Sequence, residues 1–329
     1  MSIEAVERHL ADVYGLVGTA ARLPGEDDEN FRIRSSAGEF VLRIAGASSD
    51  EARTRFILEV LSGLQGGKVH IPALVRTLHG DHCALFRSDS GVERISWLSR
   101  FITGRPLLEQ LDDPLTARRI GTHLARLDLA LSDLPRAEDY GQTVWDLTRP
   151  HLALALLEST GPHLVDHRVV RHLSDLGEVL PLHIDSLPVQ VIHNDPNPDN
   201  VLLTGDGTVA FIDFGDAIVA PRVVEVAVAG SYLVDHASES GTTALDSLLH
   251  GYQEVSPLGD EELDLLPVLM RGRVALAILV ATVRAAGRPE RAQYILRHRD
   301  SAMRRLRILE AFDDRHMVHS WSRQRGVDD

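Results

Sequence analysis

The sequence predicts an α+β protein with a small strand-rich N-terminal part and a larger, mainly helical C-terminal part. Three observations support this prediction. Residues 30–33 and 39–44 are apolar or alternating around the turn-forming segment 35–38, a pattern typical of a β-hairpin. Further short apolar segments follow within the first hundred residues. Beyond Gly104 the apolar residues instead recur every three or four positions, which is the period of a helix face.

The N-terminal part contains one predicted helix among its predicted strands. The helix spans residues 50–64, with Asp50 as its N-cap. Its apolar side chains share one face, namely Phe56, Ile57, Val60, Leu61 and Leu64. The apolar segments 73–78, 83–86 and 95–102 are bounded by glycines and polar residues, so we expect short strands there.

The C-terminal part shows helical periodicity in four segments: residues 120–131, 152–157, 263–286 and 291–312. Its only clear strand-like segment is the stretch 191–216. The change of character near Gly104 predicts an N-terminal lobe of residues 1–103 and a C-terminal lobe of residues 104–329.

Composition narrows the possible classes of protein. Hydrophobic residues make up 44% of the 329 residues and charged residues 25%, as in ordinary globular proteins. We expect no transmembrane helix and no signal peptide. The single cysteine, Cys83, excludes an internal disulfide. Together these observations predict a cytoplasmic location. The net charge of −14 argues against nucleic acid or a membrane surface as partner and favours a cationic small molecule.

The stretch 191–216 carries two polar clusters, and each follows an apolar run. The first contains His193, Asp195 and Asn200, and the second begins with Asp213. Two strand ends of this kind can place Asp195, Asn200 and Asp213 in one pocket. Kinase-type phosphoryl transfer uses a carboxylate base beside an Asn/Asp pair that holds Mg²⁺.

Each of these residue types suits a separate task. Asp195 would accept or orient the proton of a substrate hydroxyl. A carboxylate with a pKa near 4 is a poor base at pH 7, but the transition state of phosphoryl transfer is loose, so positioning matters more than early deprotonation. Asn200, five positions on, would offer an amide oxygen to Mg²⁺, and Asp213 would offer an anionic oxygen. Asp216 would support the loop or a second metal ion.

The alternative interpretation is a pair of solvated acidic turns, since an Asp-rich turn after a strand is more often a loop than a site. Two look-alike triplets illustrate the risk. His-Gly-Asp at 79–81 is followed five positions later by Phe86, and His-Arg-Asp at 298–300 by Arg305. Neither precedes a strand that ends in Asp-Phe-Gly, so both are interpreted as chance matches.

The chain resembles the aminoglycoside phosphotransferase and choline kinase superfamily, which shares the protein-kinase fold, and within it the hydroxylysine kinase-like group. The resemblance is carried by segments in both lobes: residues 23–33, 39–44, 120–134, 191–216 and 251–269. It implies a protein-kinase-like two-lobe fold, with a nucleotide-binding N-terminal lobe and a helical C-terminal lobe that carries the catalytic and substrate-binding residues.

The resemblance also assigns roles to single residues. His193 matches the histidine of the catalytic loop, which would brace the loop. Asn194 stands where Gly is common, and this is a mild change because Asn tolerates unusual backbone angles. Arg43 occupies the place of the phosphate-binding Lys of the third strand; the alternative is an exposed Arg on an edge strand. Ile57 aligns with the expected Glu or Gln, so the acidic partner of Arg43 is left open.

Nucleotide recognition is predicted at two further places. The turn 25–30 would cover the phosphates, but it carries four consecutive carboxylates, which repel phosphate. Either most of these carboxylates point away, or the loop holds a cation or a cationic substrate group. The alternative is a solvated hairpin turn without such a role. The hinge is predicted at residues 99–102. There the backbone carbonyl of Arg100 and the backbone amide of Ile102 would bind the purine.

Several other charged residues are interpreted mainly as structural. His163 and His167 lack a third metal ligand at a suitable spacing. Glu225 would tie its helix to the catalytic loop. Of Arg271 and Arg273, two positions apart on a helix, at most one would line a substrate pocket and bind a carboxylate.

The sequence therefore predicts a soluble, Mg²⁺-dependent small-molecule kinase. It would transfer the γ-phosphoryl group of ATP or GTP to a hydroxyl of an amine-bearing substrate, such as 5-hydroxylysine or a related amino alcohol. The alternatives are an aminoglycoside antibiotic kinase and a nucleotide-binding pseudokinase. Intact Asp195, Asn200 and Asp213 argue against a pseudokinase, whereas Arg43 and Ile57 leave that alternative open.

Overall fold

The computed structural model describes residues 1–24, 28–46, 49–88, 91–107, 114–137, 141–234 and 243–323. The chain forms two units. The first comprises Met1–Gly104, Ala137–Gly141 and Leu203–Gly215, and the second comprises Arg105–Arg136, Gln142–Leu202 and Asp216–Asp329.

The first unit is built on an antiparallel sheet. Its strands are β1 (Gly18–Leu23), β2 (Glu29–Ser35), β3 (Gly38–Ile44), β4 (Leu74–Val75), β5 (Ala84–Arg87) and β6 (Glu93–Arg100). The order is β1-β2-β3-β6-β4, and β5 also pairs with β6. The hairpin predicted around residues 35–38 is present, since Ser35 pairs with Gly38. Alternate side chains of β2 and β3 are buried in the core of this unit: Phe31, Ile33, Phe40, Leu42 and Ile44.

The described part of the first unit also contains the helices α1 (Ile3–Tyr14) and α2 (Glu51–Leu64). Helix α2 is the predicted one, and the Asp50 side chain accepts the Ala52 amide at 2.9 Å as its N-cap. Helix α1, which the sequence analysis did not include, ends at Gly15, where φ is 64°. Such a left-handed residue favours glycine at a helix C-terminus.

The strand predicted over residues 73–78 is shorter in the structure, because a turn replaces its second half. The Thr77 amide donates to the Asp81 carbonyl at 2.8 Å, and the Gly80 amide donates to the Thr77 carbonyl at 2.9 Å. Only Leu74–Val75 remain in the sheet. The His-Gly-Asp triplet 79–81 therefore lies at this turn.

The second unit is mainly helical. Its helices are α3 (Pro114–Ser132), α4 (Pro150–Thr160), α5 (His167–Val179), α6 (Arg222–Leu233), α7 (Thr243–Gln253), α8 (Asp260–Gly287), α9 (Ala292–Ile295), α10 (Arg299–Ala311) and α11 (Asp314–Arg323). The other strands in the described ranges are β7 (Arg105–Pro106), β8 (Val189–Ile192), β9 (Val201–Leu203), β10 (Val209–Phe211) and β11 (Ile218–Pro221). Strand β8 pairs antiparallel with β11, and β9 pairs with β7.

Close helix packing forms the core of the second unit. The predicted apolar face of α3 is buried at all four positions, Ile120, Leu124, Leu127 and Leu131. A Cβ atom at Gly121 would collide with the Leu248 carbonyl oxygen, so α3 and α7 approach each other along their backbones. Helix α8 is long and apolar enough to cross a membrane by length and composition alone, but 72% of its apolar window is buried inside the protein.

The final helix, predicted over residues 291–312, is interrupted. A 3₁₀ turn, the short helix α9 and a second 3₁₀ turn precede α10, which begins only at Arg299. The reason is the distribution of buried side chains. None of residues 291–298 is buried, whereas α10 buries Ala302, Leu306 and Leu309. Tertiary packing supplies most of the stability of a short helix, so the continuous helix forms only where a face is buried.

A buried acid on α3, Asp128, forms a hydrogen bond with a residue of α7. Asp128 is 1% exposed, and the Tyr252 hydroxyl donates to its Oδ2 at 2.6 Å. Burial, with a smaller contribution from the negative charge of Glu262, raises the pKa of Asp128 to about 8, although the Tyr252 hydrogen bond and the positive charge of Arg222 oppose the shift. The folded protein therefore holds a proton here at pH values where the unfolded chain releases it.

This proton predicts that stability falls as pH rises. Between pH 4, the ordinary value for Asp, and pH 8, the folded state binds more protons at Asp128 than the unfolded state, so unfolding becomes easier at each step. We expect urea unfolding between pH 5 and 8 to show this loss, and Asp128→Asn to weaken it. Asp264→Asn, on the exposed face of α8, is the matched control. An unchanged pH dependence in Asp128→Asn would contradict the assignment.

Candidate active site

The loop after β8 is shaped by Asn194. Its φ of 66° lies in the left-handed region, which Asn adopts more readily than most residues. This left-handed angle explains why Asn can occupy a position at which the family that the chain resembles commonly has Gly. The buried side chain also contributes, because its Nδ2 donates to the Trp145 carbonyl at 3.3 Å and to the Asp216 carbonyl at 3.1 Å.

Glu225 holds the same loop from the first turn of α6. The Asn194 backbone amide donates to Glu225 Oε2 at 2.6 Å, and the Glu225 side chain is fully buried. Burial raises the pKa of Glu225 well above its ordinary value, and the neighbouring Asp128 raises it further. The contact between helix and loop expected from the sequence is therefore present.

His193 lies inside the loop with no exposed surface. The backbone amide of Asp195 donates to its Nδ1 at 3.2 Å. This contact fixes the peptide that carries Asp195, which agrees with a bracing role for the histidine.

Asp195, the predicted base, is held on both carboxylate oxygens. Its Oδ2 accepts hydrogen bonds from Asn197 Nδ2 at 2.8 Å and from Asn200 Nδ2 at 2.7 Å. Its Oδ1 accepts from Arg273 Nη2 at 2.8 Å. The side chain retains 18% of its exposure, so a carboxylate oxygen can still meet a substrate hydroxyl.

Arg273, like Asn197, is a contact of Asp195 that was not predicted from the sequence. It comes from α8 and is 3% exposed, and its guanidinium carbon lies 4.8 Å from the centre of the Trp145 ring. Arg271 instead forms an ion pair with Asp314 at 2.7 Å, so only one of the two arginines points to this site. The available signal was a charged residue directly before the long apolar run 274–283 of a helix.

Asn200 is oriented so that its amide oxygen remains available. Its Nδ2 donates both to the Asp195 backbone carbonyl at 3.1 Å and to the Asp195 carboxylate. No residue in the described part of the chain donates to its Oδ1. Mg²⁺ prefers oxygen ligands of this kind, so Asn200 fits the metal-binding role predicted for it.

Asp213 belongs to the first unit and follows β10. Its φ is 63°, and its side chain is 45% exposed. Arg43 Nη1 donates to Asp213 Oδ1 at 2.9 Å, and the Gly215 amide donates to the same oxygen at 3.3 Å. A half-exposed carboxylate of this kind also suits Mg²⁺. The structure thus brings Asp195 together with Asn200, and Arg43 together with Asp213.

Ile57, which aligns with the expected acid, is buried in α2. An acid that forms an ion pair with Arg43 is instead Asp213, at 2.9 Å. Helix α2 supports the same loop through Arg53, whose Nη2 donates to the Gly215 carbonyl at 2.6 Å. The phosphate-binding role of Arg43 stays a prediction.

The predicted hinge lies at the end of β6. The Arg100 amide donates to the Ala73 carbonyl at 2.8 Å, and the Phe101 amide donates to the Glu39 carbonyl at 3.0 Å. These bonds fix the strand that leads to the backbone carbonyl of Arg100 and the amide of Ile102. Their contact with a purine stays a prediction.

The acidic turn 25–30 is described only in part, because residues 25–27 lie outside the described residues. Of its described acids, Asp28 Oδ1 accepts the Gly46 amide at 2.9 Å. Glu29 forms ion pairs with Arg22 at 2.9 Å and Arg94 at 2.7 Å. These arginines offset the charge of Glu29.

The other histidine and acid candidates form no metal site in the described ranges, where no group of three His, Cys, Asp or Glu side chains is placed to hold a metal ion. His163 lies in a 3₁₀ turn, and His167 starts α5. The His-Arg-Asp triplet 298–300 lies at the start of α10, which agrees with its interpretation as a chance match.

A carboxylate braced at a strand end, followed five positions later by an asparagine with an available oxygen, is the arrangement that was predicted for a kinase-like site. Residues 19–266 match the phosphotransferase enzyme family (APH), and the chain therefore belongs to that family. The resemblance to the aminoglycoside phosphotransferase and choline kinase superfamily is thereby confirmed.

Similar proteins agree with this class. A homoserine kinase of Rhodopseudomonas palustris (strain HaA2) is 28% identical over 275 residues, which cover 82% of this chain and 79% of that protein. A hydroxylysine kinase of Mus musculus is 25% identical over 304 residues, covering 83% and 80%. The structure of an amicoumacin kinase in complex with AMP-PNP and Ca²⁺ superimposes with a TM-score of 0.74 at 14% identity, covering 96% and 97% of the two chains.

These findings confirm the predicted protein-kinase-like α+β fold. Together with the family match, they establish a small-molecule kinase whose phosphoryl acceptor is a hydroxyl group.

Proposed function

We propose that this kinase uses Mg²⁺ and ATP or GTP to phosphorylate the hydroxyl group of a small amine-bearing substrate, such as a hydroxy amino acid or a related amino alcohol. The observation that carries the proposal is the fixed carboxylate of Asp195. Three side chains, those of Arg273, Asn197 and Asn200, hold it in one orientation. A carboxylate held in this way can orient a hydroxyl without first removing its proton.

The remaining residues have separate tasks in this proposal. Asp195 accepts the hydroxyl proton as the substrate oxygen bonds to the γ-phosphorus, while the bond from that phosphorus to the bridging oxygen breaks and the nucleoside diphosphate leaves. Asn200 and Asp213 each offer an oxygen to Mg²⁺, and Arg43 offers a guanidinium that can bind phosphate oxygens bidentately. When bound, Mg²⁺ would neutralise charge on the phosphate oxygens.

The acceptor class is supported by the relatives. Their names describe kinases of homoserine and of hydroxylysine, and both compounds carry a hydroxyl and an amine. We expect the same pair of groups in the acceptor of this protein.

The test is nucleotide turnover against a panel of acceptors. Purified protein with Mg²⁺ and ATP or GTP is offered L-homoserine, 5-hydroxylysine, ethanolamine, choline and kanamycin, and release of nucleoside diphosphate is followed. We expect acceptor-dependent turnover with an amine-bearing hydroxyl compound, and loss of that turnover with EDTA. Nucleotide binding without turnover on any acceptor would instead indicate a pseudokinase and overturn the proposal.

A further inference from the structure

The ring of Trp145 packs against the arginine that holds Asp195. The guanidinium carbon of Arg273 lies 4.8 Å from the centre of the Trp145 ring, and that of Arg284 lies 5.7 Å from the same centre. A guanidinium within about 6 Å of a ring centre is attracted to the negative face of the ring. All four residues belong to the second unit. Trp145 is therefore linked to the predicted base through one side chain, that of Arg273.

The acids around Arg273 already interact with its charge. The ion pair between Arg273 and Asp195 is 2.8 Å long. The negative charge of Asp216 acts on the same guanidinium, and Glu225 of α6 interacts with it as well. An aromatic ring beside Arg273 is therefore not needed to balance a charge. What such a ring can contribute is the orientation of the guanidinium.

The hydrogen bonds of Arg273 leave that orientation incomplete. In the described ranges only its Nη2 donates, to Asp195 Oδ1 at 2.8 Å and to the Tyr232 hydroxyl at 3.5 Å. Its Nε and Nη1 are buried and make no hydrogen bond to the described residues. A planar guanidinium held at one nitrogen can rotate about that contact, whereas a bidentate pair would fix it. Packing on the Trp145 ring supplies the missing restraint on the plane.

Trp145 is itself fixed by the turn that carries it. The Trp145 amide donates to the Thr143 hydroxyl oxygen at 3.2 Å. The next residue, Asp146, is buried, and its Oδ1 accepts the Thr148 amide at 2.9 Å. The Trp145 carbonyl accepts the side-chain amide of Asn194 at 3.3 Å, which ties this turn to the catalytic loop. These contacts use the backbone, so a substitution of the ring leaves them in place.

We propose that Trp145 is a positioning residue of the phosphoryl transfer: its ring orients the guanidinium of Arg273, which in turn orients the carboxylate of Asp195. This inference rests on the proposed function, and it adds a residue that acts through Arg273 rather than on the substrate. Its effect falls on kcat, because the geometry of the base matters most when the hydroxyl oxygen attacks the phosphorus.

The test removes the ring and keeps the backbone. Kinetics are measured with whichever of L-homoserine, 5-hydroxylysine, ethanolamine, choline and kanamycin is turned over fastest. Trp145→Leu should lower kcat about tenfold, because a small displacement of a reacting group costs rate. The KM values for nucleotide and acceptor should change by less than about threefold. Trp145→Phe keeps an aromatic face for Arg273 and should recover most of kcat.

A double-mutant cycle tests whether Trp145 acts through Arg273. Arg273→Met removes the guanidinium and should itself lower kcat. Adding Trp145→Leu to Arg273→Met should then lower kcat by less than about twofold, since the ring has lost the group that it orients. Thermal unfolding shows which variants are folded. If Trp145→Leu does not fold, Trp145→Met takes its place, because a flexible methionine fills irregular space.

Two controls show whether a loss of stability alone lowers kcat. Arg271→Met removes another arginine of α8, whose ion pair with Asp314 is 2.7 Å long. Trp321→Leu removes a fully buried tryptophan, whose Nε1 donates to Asp246 at 2.9 Å. Both variants should lower Tm and leave kcat and the KM values of the folded protein unchanged.

The outcomes separate this inference from the proposed function. If folded Trp145→Leu keeps a kcat within about twofold of the wild type, the positioning role is wrong and the proposed function stands. The same conclusion follows if the variant raises only the KM for the acceptor, or if it lowers kcat by the same factor in the Arg273→Met background. If the wild-type protein binds nucleotide but phosphorylates no acceptor, the proposed function fails, and the positioning role fails with it.

Discussion

Asp195→Asn should lower kcat by about 10³-fold, since general base catalysis contributes on the order of 10²- to 10⁴-fold. The asparagine keeps the size of the side chain and one oxygen for Asn197 and Asn200, but it cannot accept the substrate proton. It also removes the charge that pairs with Arg273 at 2.8 Å. We expect the KM for nucleotide to change by less than about threefold, because the loss concerns the transition state.

The control for this variant lies in the same loop. Asp199 is exposed, so Asp199→Asn changes the net charge equally, and its kcat should stay near that of the wild type. Thermal unfolding of both variants separates chemistry from stability, because Asp195→Asn leaves the buried Arg273 without its ion pair and should lower Tm. Wild-type turnover in a folded Asp195→Asn protein would show that another group receives the proton.

The contacts between residues close in the sequence could be predicted from the sequence. The spacing of Asp195 and Asn200 predicted a common loop, and their side chains are in fact hydrogen-bonded at 2.7 Å. The hairpin and helix α2 were also predicted, because turn residues and an N-cap mark them within a few positions. These features depend on interactions between residues that are close in the sequence.

The arginine contacts of Asp195 and of Asp213 could not be predicted, because each joins residues far apart in the sequence. Arg273 lies 78 positions from Asp195, and Arg43 lies 170 positions from Asp213. A single sequence gives neither the register of α8 against the catalytic loop nor the choice between Arg271 and Arg273. The interruption of the helix before α10 was not predicted for a related reason, since it depends on which side chains are buried.

The site also shows how polar groups become fixed in a core. Asn194 uses its backbone amide on Glu225 and its side chain on two carbonyls. A glycine would make only the first of these contacts. The chain therefore replaces the conformational freedom of glycine with hydrogen bonds that restrain the loop, because Asn tolerates the same left-handed angles.

Asp213→Asn should change the metal dependence of the reaction. Asparagine tolerates the φ of 63°, so the backbone of the loop is expected to persist. The variant loses the negative charge that Mg²⁺ prefers and the ion pair with Arg43. We expect the Mg²⁺ concentration for half-maximal activity to rise at least tenfold and kcat to fall on the order of 10²-fold, since single charged contacts at such sites contribute that much.

The matched control for Asp213 is Asp206→Asn, in the exposed turn between β9 and β10. Asp206 bonds Thr204 and Thr208 within that turn, and an asparagine can accept the same hydrogen bonds. Its Mg²⁺ dependence should therefore equal that of the wild type. Titration of activity with Mg²⁺ distinguishes the two variants, and isothermal calorimetry with nucleotide shows whether Arg43 still binds phosphate. If Asp213→Asn keeps the wild-type Mg²⁺ dependence, Asp213 is not a metal ligand, and its carboxylate serves only to orient Arg43.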